Sequence, residues 1–370
     1  MTIGTEHEFS VNDEHFTALP VSDQIIKAIC GSFESEISFG DVRLGKELQK
    51  TVIEMLPKVP ATGPAGLEPQ LMQGINRFYR IFPTRYHLLG LGMHPTVTLD
   101  RTSVWDHDEG EYYECYDRLF NIHQHGWLNI QALQVNLSYA NEKDLLMQYN
   151  RIRTLLPYLA AITASSPMVE GKLTGVMDNR LVYYRKNQEQ IPAICNGIVP
   201  ERLRSVTEYN AFQEKIFAEL RARDAEILCE EWLNSGGLIV RFSRQCLEIK
   251  AMDEQECIKS DMAVAAFIQA LLRCPTLPVE SDRNALLALM ETAIRKGTAG
   301  FRPELEALYS HAWKRATPEE RKYLPVIERR IKKGSLAELM AERCRKEKKI
   351  EPVLADMARC LRENTPYGMD

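Results

Sequence analysis

Strand-like runs from Thr2 to Val11 and from Ser38 to Met55 open the chain, with an apolar-periodic segment near Ile25 to Phe33 between them. "PKVPATGPAGLEP" reads as a loop from its prolines and glycines. Helical spacing follows over Gln70 to Phe82, then a strand through "RYHLLGLGMHP", a helix from Tyr112 to His123 and a strand from Leu128 to Tyr139. Leu145, Tyr149, Ile152, Leu156 and Leu159 mark a further helix, capped by Asn141 with Asp144 three residues on. Pro157 is expected to bend it. A polar helix is predicted from Glu208 to Ala225, strands from Glu226 to Trp232 and through "LIVRFSRQCLEIKAMD", and only helices after Ile258. These include Ser281 to Lys296, closed by Gly297, and one opening on the capping box Ser335, Glu338. Interspersed strands followed by segregated helices predict an α+β fold with a largely antiparallel sheet.

Composition narrows the class of partner. The chain has 370 residues, 45% hydrophobic and 26% charged, enough for a large core. A formal charge of −5 gives no general attraction for nucleic acid or an anionic membrane, so small-molecule chemistry is expected. No leader-like segment or stretch long enough to span a bilayer is visible, which points to a cytoplasmic protein. Nine cysteines without a CxxC pair suit reduced thiols. Cys195 and Cys246 read as buried thiols, His123 and His125 as exposed turn residues, and Tyr112, Tyr113 and Tyr116 as packing residues. The mixed charges of "ERRIKKG" and "ERCRKEKK" read as a solvated helical face.

Several motifs are missing. There is no G-x-x-x-x-G-K-[ST] loop and no G-x-S-x-G elbow, "GLGMHP" lacks the third glycine of a dinucleotide fingerprint, and "EHEF" is not H-E-x-x-H. What remains is a set of carboxylates. Glu6 and Glu8 are two apart on a strand and so share a face. A solvated sheet face gives the same alternation. However, Glu54 in "TVIEML" and Glu248 in "QCLEIKAMD" repeat the arrangement, and Glu47 precedes Glu54 by seven residues. Such oxygen ligands, if gathered in one pocket, suit magnesium and phosphoryl transfer from ATP. Spacing alone leaves their convergence open.

"QVNLSYANE" followed by "ASSPMVEGKLTG" resembles the central signature of the glutamate–cysteine ligases, closest to the plant and related bacterial type. "IGTEHEF" resembles the family's first strand, "KELQKTVIEM" its second acidic strand, "GLGMHP" its Gly-x-His-Pro turn and "CLEIKAMD" its late E-I-R-x-x-D strand, all in the family's order. The resemblance implies a glutamine synthetase-like fold, a curved antiparallel sheet forming a funnel flanked by helices. A catalytic domain over residues 1–275 would carry a helical region, 276–370, packed on it. ATP and Mg2+ would be the cofactors, with glutamate activated at its γ-carboxylate and joined to an amine, cysteine first. The alternatives are glutamate or another carboxylate joined to a different amine, or a non-catalytic scaffold, and a homo-oligomer is allowed.

By position, Glu6, Glu8, Glu47, Glu54 and Glu248 match the family's metal-binding acids. His94 and Gln134 match residues facing metal or nucleotide, Asn136 takes a position there often held by histidine, and Arg180 matches an arginine that binds the substrate carboxylate. Arg241, Arg244 and Lys250 are expected to neutralise the transferring phosphoryl group. The sequence departs from the family at Lys250, which replaces an arginine, and after Glu54, where a threonine is usual.

Overall fold

The computed structural model describes residues 1–369. Its strands are β1 (Ile3–Asn12), β2 (Glu36–Phe39), β3 (Val42–Lys46), β4 (Val52–Pro57), β5 (His87–Leu89), β6 (Ala132–Ser138), β7 (Met168–Val169), β8 (Lys172–Leu173), β9 (Leu238–Arg241) and β10 (Cys246–Asp253). The main sheet runs β2-β3-β4-β1-β6-β10-β9, with β5 joined to the far end of β1 and β7-β8 forming a separate ribbon. Every pairing is antiparallel, as the sequence pattern predicts.

The helices are α1 (Ser22–Cys30), α2 (Pro64–Ile81), α3 (Gly110–Phe120), α4 (His125–Leu128), α5 (Glu142–Thr163), α6 (Asn179–Tyr184), α7 (Val206–Arg221), α8 (Ile258–Leu272), α9 (Arg283–Lys296), α10 (Arg302–Arg315), α11 (Leu324–Lys333), α12 (Leu336–Glu347) and α13 (Glu351–Glu363). Asn141 caps α5 by accepting from the Asp144 amide at 3.0 Å, and the helix runs unbroken through Pro157. None of the described helices is long and apolar enough to cross a membrane.

Period-two alternation sorts the sheet into two faces. Phe9, Ile53, Met55, Leu133, Val135, Leu137, Leu247 and Ile249 are buried on the back, in one core with residues of α2, α5 and α8. Burial of each such side chain is worth about 1.5–3 kcal/mol, so register is strongly specified. The same core continues into α9, α10 and α11 and reaches Leu361. The expected division at residue 275 falls between α8 and α9, and hydrophobic packing runs across it.

Three segments differ from the sequence expectation. The run from Ser38 to Met55 is split by a two-residue hairpin turn at Gly40 and Asp41, where φ of +70° at Gly40 suits glycine. The proline-rich loop gives way to helix at Pro64, because proline at the first helical position needs no N–H partner. The expected strand from Glu226 to Trp232 is two single 3-10 turns. Their buried anchors, Leu228 and Leu233, reach a satellite core with Phe120, Ile194 and Leu220.

The box at α12 is complete. Ser335 Oγ accepts from the Glu338 amide, and Glu338 returns a bond to the Ser335 amide at 2.7 Å. Glu338 also accepts from the Thr298 amide at 2.9 Å, tying α12 to the end of α9. Ser335→Ala is expected to lower stability by about 1 kcal/mol in urea denaturation with an unchanged m-value.

Candidate active site

The front face of the sheet is acidic because register makes it so. Glu8 pairs with Glu54 across β1 and β4, Glu6 with Gln134 across β1 and β6, and Asn136 with Glu248 across β6 and β10. These six residues therefore share one face over four adjacent strands. Glu47 joins them from the turn after β3. The face floors a cleft of about 630 Å³ lined by Glu8, Glu47, Glu54, Gln134, Arg180 and Lys250, among others. Arg241 and Arg244 also line it, whereas Glu6 and Asn136 open on an adjoining recess that shares Arg244.

Charges on this floor are unevenly matched. Burial would raise the Glu248 carboxyl, but Lys250 at 3.2 Å and Arg241 at 2.5 Å bring it below its ordinary value. Arg244 stands 2.8 Å from Glu6, which also accepts from Asn136 at 3.0 Å. The other three acids lack such compensation. Burial and then the Glu47 charge push Glu8 up to about 8, although the Ala132 amide and Gln134 bond to it at 2.9 and 3.1 Å. Glu47 rises to about 7 by burial, against Lys46 and with Glu6. Glu54 is raised well above its ordinary value by burial and then by Glu6, Glu47 and Glu8.

Carboxylates with a surplus of negative charge fit a hard divalent cation. Among the described residues, however, no three of the five acids bring ligand oxygens within 4.8 Å of one another. The fit is to ions held by one or two carboxylates each, with ligand oxygens and water completing the shell.

Arg180 is fixed from behind. Its Nε donates to Asp253 Oδ1 at 2.7 Å and its Nη2 to the Lys250 carbonyl at 3.2 Å. Asp253 also accepts from the Ser165 amide and the Ser166 hydroxyl, each at 2.8 Å. Gly92 packs so closely that a Cβ there would stand 2.1 Å from the Asp253 carboxyl carbon. Asp253 was quoted in the sequence signature without a role.

Part of the cleft lining is aromatic: Tyr112, Tyr116, Trp127, Tyr184 and Trp232. The Tyr112, Tyr113 and Tyr116 side chains, read as packing residues although the family this chain resembles has an aromatic near this place, therefore face the site. Tyr113 bonds to Lys46, which also pairs with Glu109. Lys46, Trp127, Trp232 and Glu231, the second partner of Arg241 at 3.3 Å, were not among the sequence candidates. The helical spacing of the tyrosines did not distinguish this wall from a packed helix face.

His94 is not brought to the cleft. The turn that carries it follows β5, which pairs with Ser10 to Asn12 at the end of β1 away from Glu6. It is held by Asn129 at 2.9 and 3.0 Å, near Asp13 and Phe16, and burial lowers its imidazole to about 4. His123 is exposed, but His125 is buried against Glu170 at 3.2 Å. All nine cysteines are free, and burial pushes Cys195 to about 11 and Cys246 to about 12, so neither is poised as a nucleophile.

The family match sets the class, a carboxylate–amine ligase, and the superposition with solved ligases shows the glutamine synthetase-like fold. The match is to the model of glutamate-cysteine ligase family 2, over residues 2–355, and the chain belongs to that family. An uncharacterized protein of Archaeoglobus fulgidus is 46% identical over 371 residues, covering 99% of this chain and 100% of that one. A glutamate–cysteine ligase from Francisella tularensis, solved in complex with AMP, superposes with a TM-score of 0.65 at 10% identity, over 100% of this chain and 89% of its own. A bifunctional glutathione synthetase from Pasteurella multocida gives 0.66 at 14% identity over 98% of this chain, which spans 52% of that enzyme.

Acids raised in the folded state bind protons that the unfolded chain has already released, so stability falls as pH rises from about 4.5 through about 8. The melting temperature in chelator should therefore drop between pH 6 and 9, and Mg2+ should lessen that drop. Equal curves with and without Mg2+ would contradict cation binding at these acids. Gly92→Ala should displace Asp253 and weaken Arg180, which a lowered affinity for a carboxylate substrate would report.

Proposed function

We propose that the protein is an ATP-dependent ligase that activates the γ-carboxylate of glutamate as an acyl phosphate and joins it to cysteine. The observation that carries this reading is the cleft floor, where Glu8, Glu47 and Glu54 hold surplus negative charge beside Arg180, Arg241, Arg244 and Lys250. Family membership supports glutamate and cysteine as substrates, and the AMP held by the Francisella enzyme supports ATP as nucleotide. Glu6, Glu8, Glu47, Glu54 and Glu248 are the residues that would hold Mg2+. Bound there, the ion supplies positive charge that lets a phosphoryl group approach a carboxylate.

The chain's own side chains do the rest. Arg180, anchored by Asp253, presents its guanidinium to a substrate carboxylate. Arg241, Arg244 and Lys250 neutralise the phosphoryl group as it passes from ATP to the γ-carboxylate oxygen, releasing ADP. Gln134 orients Glu8, and Asn136 orients Glu6, through the hydrogen bonds their side-chain N–H groups donate. The amine then attacks the acyl carbon, phosphate leaves, and an amide bond remains. His94, away from the cleft, has no part in this scheme.

A second reading keeps the chemistry and enlarges the amine. The wall of Tyr112, Tyr116, Trp127 and Trp232 favours it, since flat aromatic faces suit a bulkier side chain than that of cysteine.

ADP release with Mg2+, ATP and glutamate should depend on cysteine, with γ-glutamylcysteine found by mass spectrometry. Glu54→Gln should lower kcat roughly 10²–10³-fold, the scale of losing one electrostatic group in a site of this kind. Turnover only with a larger amine would select the second reading, and no ADP release with any amine would contradict both.

A further inference from the structure

On the opposite face of β1 from Glu6 and Glu8 lies a second cluster of ligand-type side chains. His7, Glu254 and Asp261 are fully buried and come from β1, the segment after β10 and the first turn of α8. His7 Nδ1 stands 3.3 Å from Glu254 Oε1 and 3.4 Å from Asp261 Oδ2. We propose that these three residues hold a divalent transition-metal ion, of the zinc or manganese type, in the core behind the sheet.

Distances favour ligation over an ion pair. A charge-assisted N–H to carboxylate bond closes to about 2.7–2.9 Å, shorter than either contact here. Ligand atoms around a tetrahedral ion with bonds of about 2.0–2.2 Å stand about 3.3–3.6 Å apart, which the two contacts match.

Hydrogen bonding agrees. The other ring nitrogen, Nε2, lies 2.8 Å from Thr5 Oγ1, so donating its proton there leaves the Nδ1 lone pair facing two carboxylates. A metal-ligating histidine is held in this way by a partner for its second nitrogen. Glu254 Oε2 accepts from the Glu8 amide at 3.3 Å, but neither Asp261 oxygen has a hydrogen-bond partner despite complete burial.

Charge gives the third argument. Neutral His7 with two carboxylates carries two negative charges, which a divalent ion cancels. Arg330, a buried cation of α11, is already committed to Glu256 at 2.6 Å. Such an ion would staple the strand that carries Glu6 and Glu8 to α8, from behind and apart from any cation in the cleft.

Elemental analysis of full-length protein, purified without chelator or affinity tag and passed through EDTA, is expected to find close to one transition-metal ion per chain. X-ray absorption of that wild-type protein should show one imidazole nitrogen with oxygen ligands at about 2.0–2.2 Å. Asp261→Asn should lose the ion while Glu8→Gln keeps it; if Asp261→Asn fails to fold, the wild-type spectrum decides. Folded protein that is metal-free and shows no thermal shift with Zn2+ or Mn2+ would make the cluster a buried proton-sharing network and overturn the proposal. So would metal lost in Glu8→Gln but kept in Asp261→Asn, or a spectrum without imidazole.

Discussion

Antiparallel register between β1 and its neighbours β4 and β6 is the constraint on which the rest of the molecule depends. It sets Glu8 against Glu54 and Glu6 against Gln134, and in doing so turns His7 and Phe9 toward the helices behind. A slip of one residue would bury both acids in the core and present His7 and Phe9 to the cleft. Hydrophobic burial on the back face holds that register, so the packing energy of the core fixes the geometry of the acids in front.

The electrostatics follow from this placement. Glu248 is neutralised by Arg241 and Lys250, whereas Glu8, Glu47 and Glu54 repel one another in a place where water screens them poorly. A floor with matched charges would resist further ligands. One with surplus carboxylates beside fixed guanidinium groups is suited to take a cation and a polyanion together, as the proposed ligase chemistry requires. Asp253 serves the guanidinium side of this arrangement, since it orients Arg180 and packs against the Gly92 turn.

Much of this was legible in the sequence, for a physical reason. Glu54 and Glu248 are single acids between apolar neighbours on strands, Glu6 and Glu8 are two apart on another, and a period of two puts each on the face opposite its neighbours without knowledge of the fold. The ordered family blocks added Gln134, Asn136 and Arg180, which the structure also places on or beside the floor. His94 shows the limit: its motif matched, but its turn follows a strand paired to the wrong end of β1. The aromatic wall was hidden because Tyr112, Tyr113 and Tyr116 at helical spacing look like any packed helix face. Trp232 was hidden because the short apolar run Ile227 to Cys229 reads as a strand, where two 3-10 turns formed instead.

Anomalous scattering from crystals grown with Mn2+ and a non-hydrolysable ATP analogue would test most directly whether the acidic floor is a nucleotide and cation site. Manganese peaks against the carboxylates of Glu6, Glu8, Glu47, Glu54 or Glu248, with the nucleotide phosphates beside them, are the predicted result. Nucleotide bound away from this cleft, or bound in it with no manganese at any of the five acids, would contradict it.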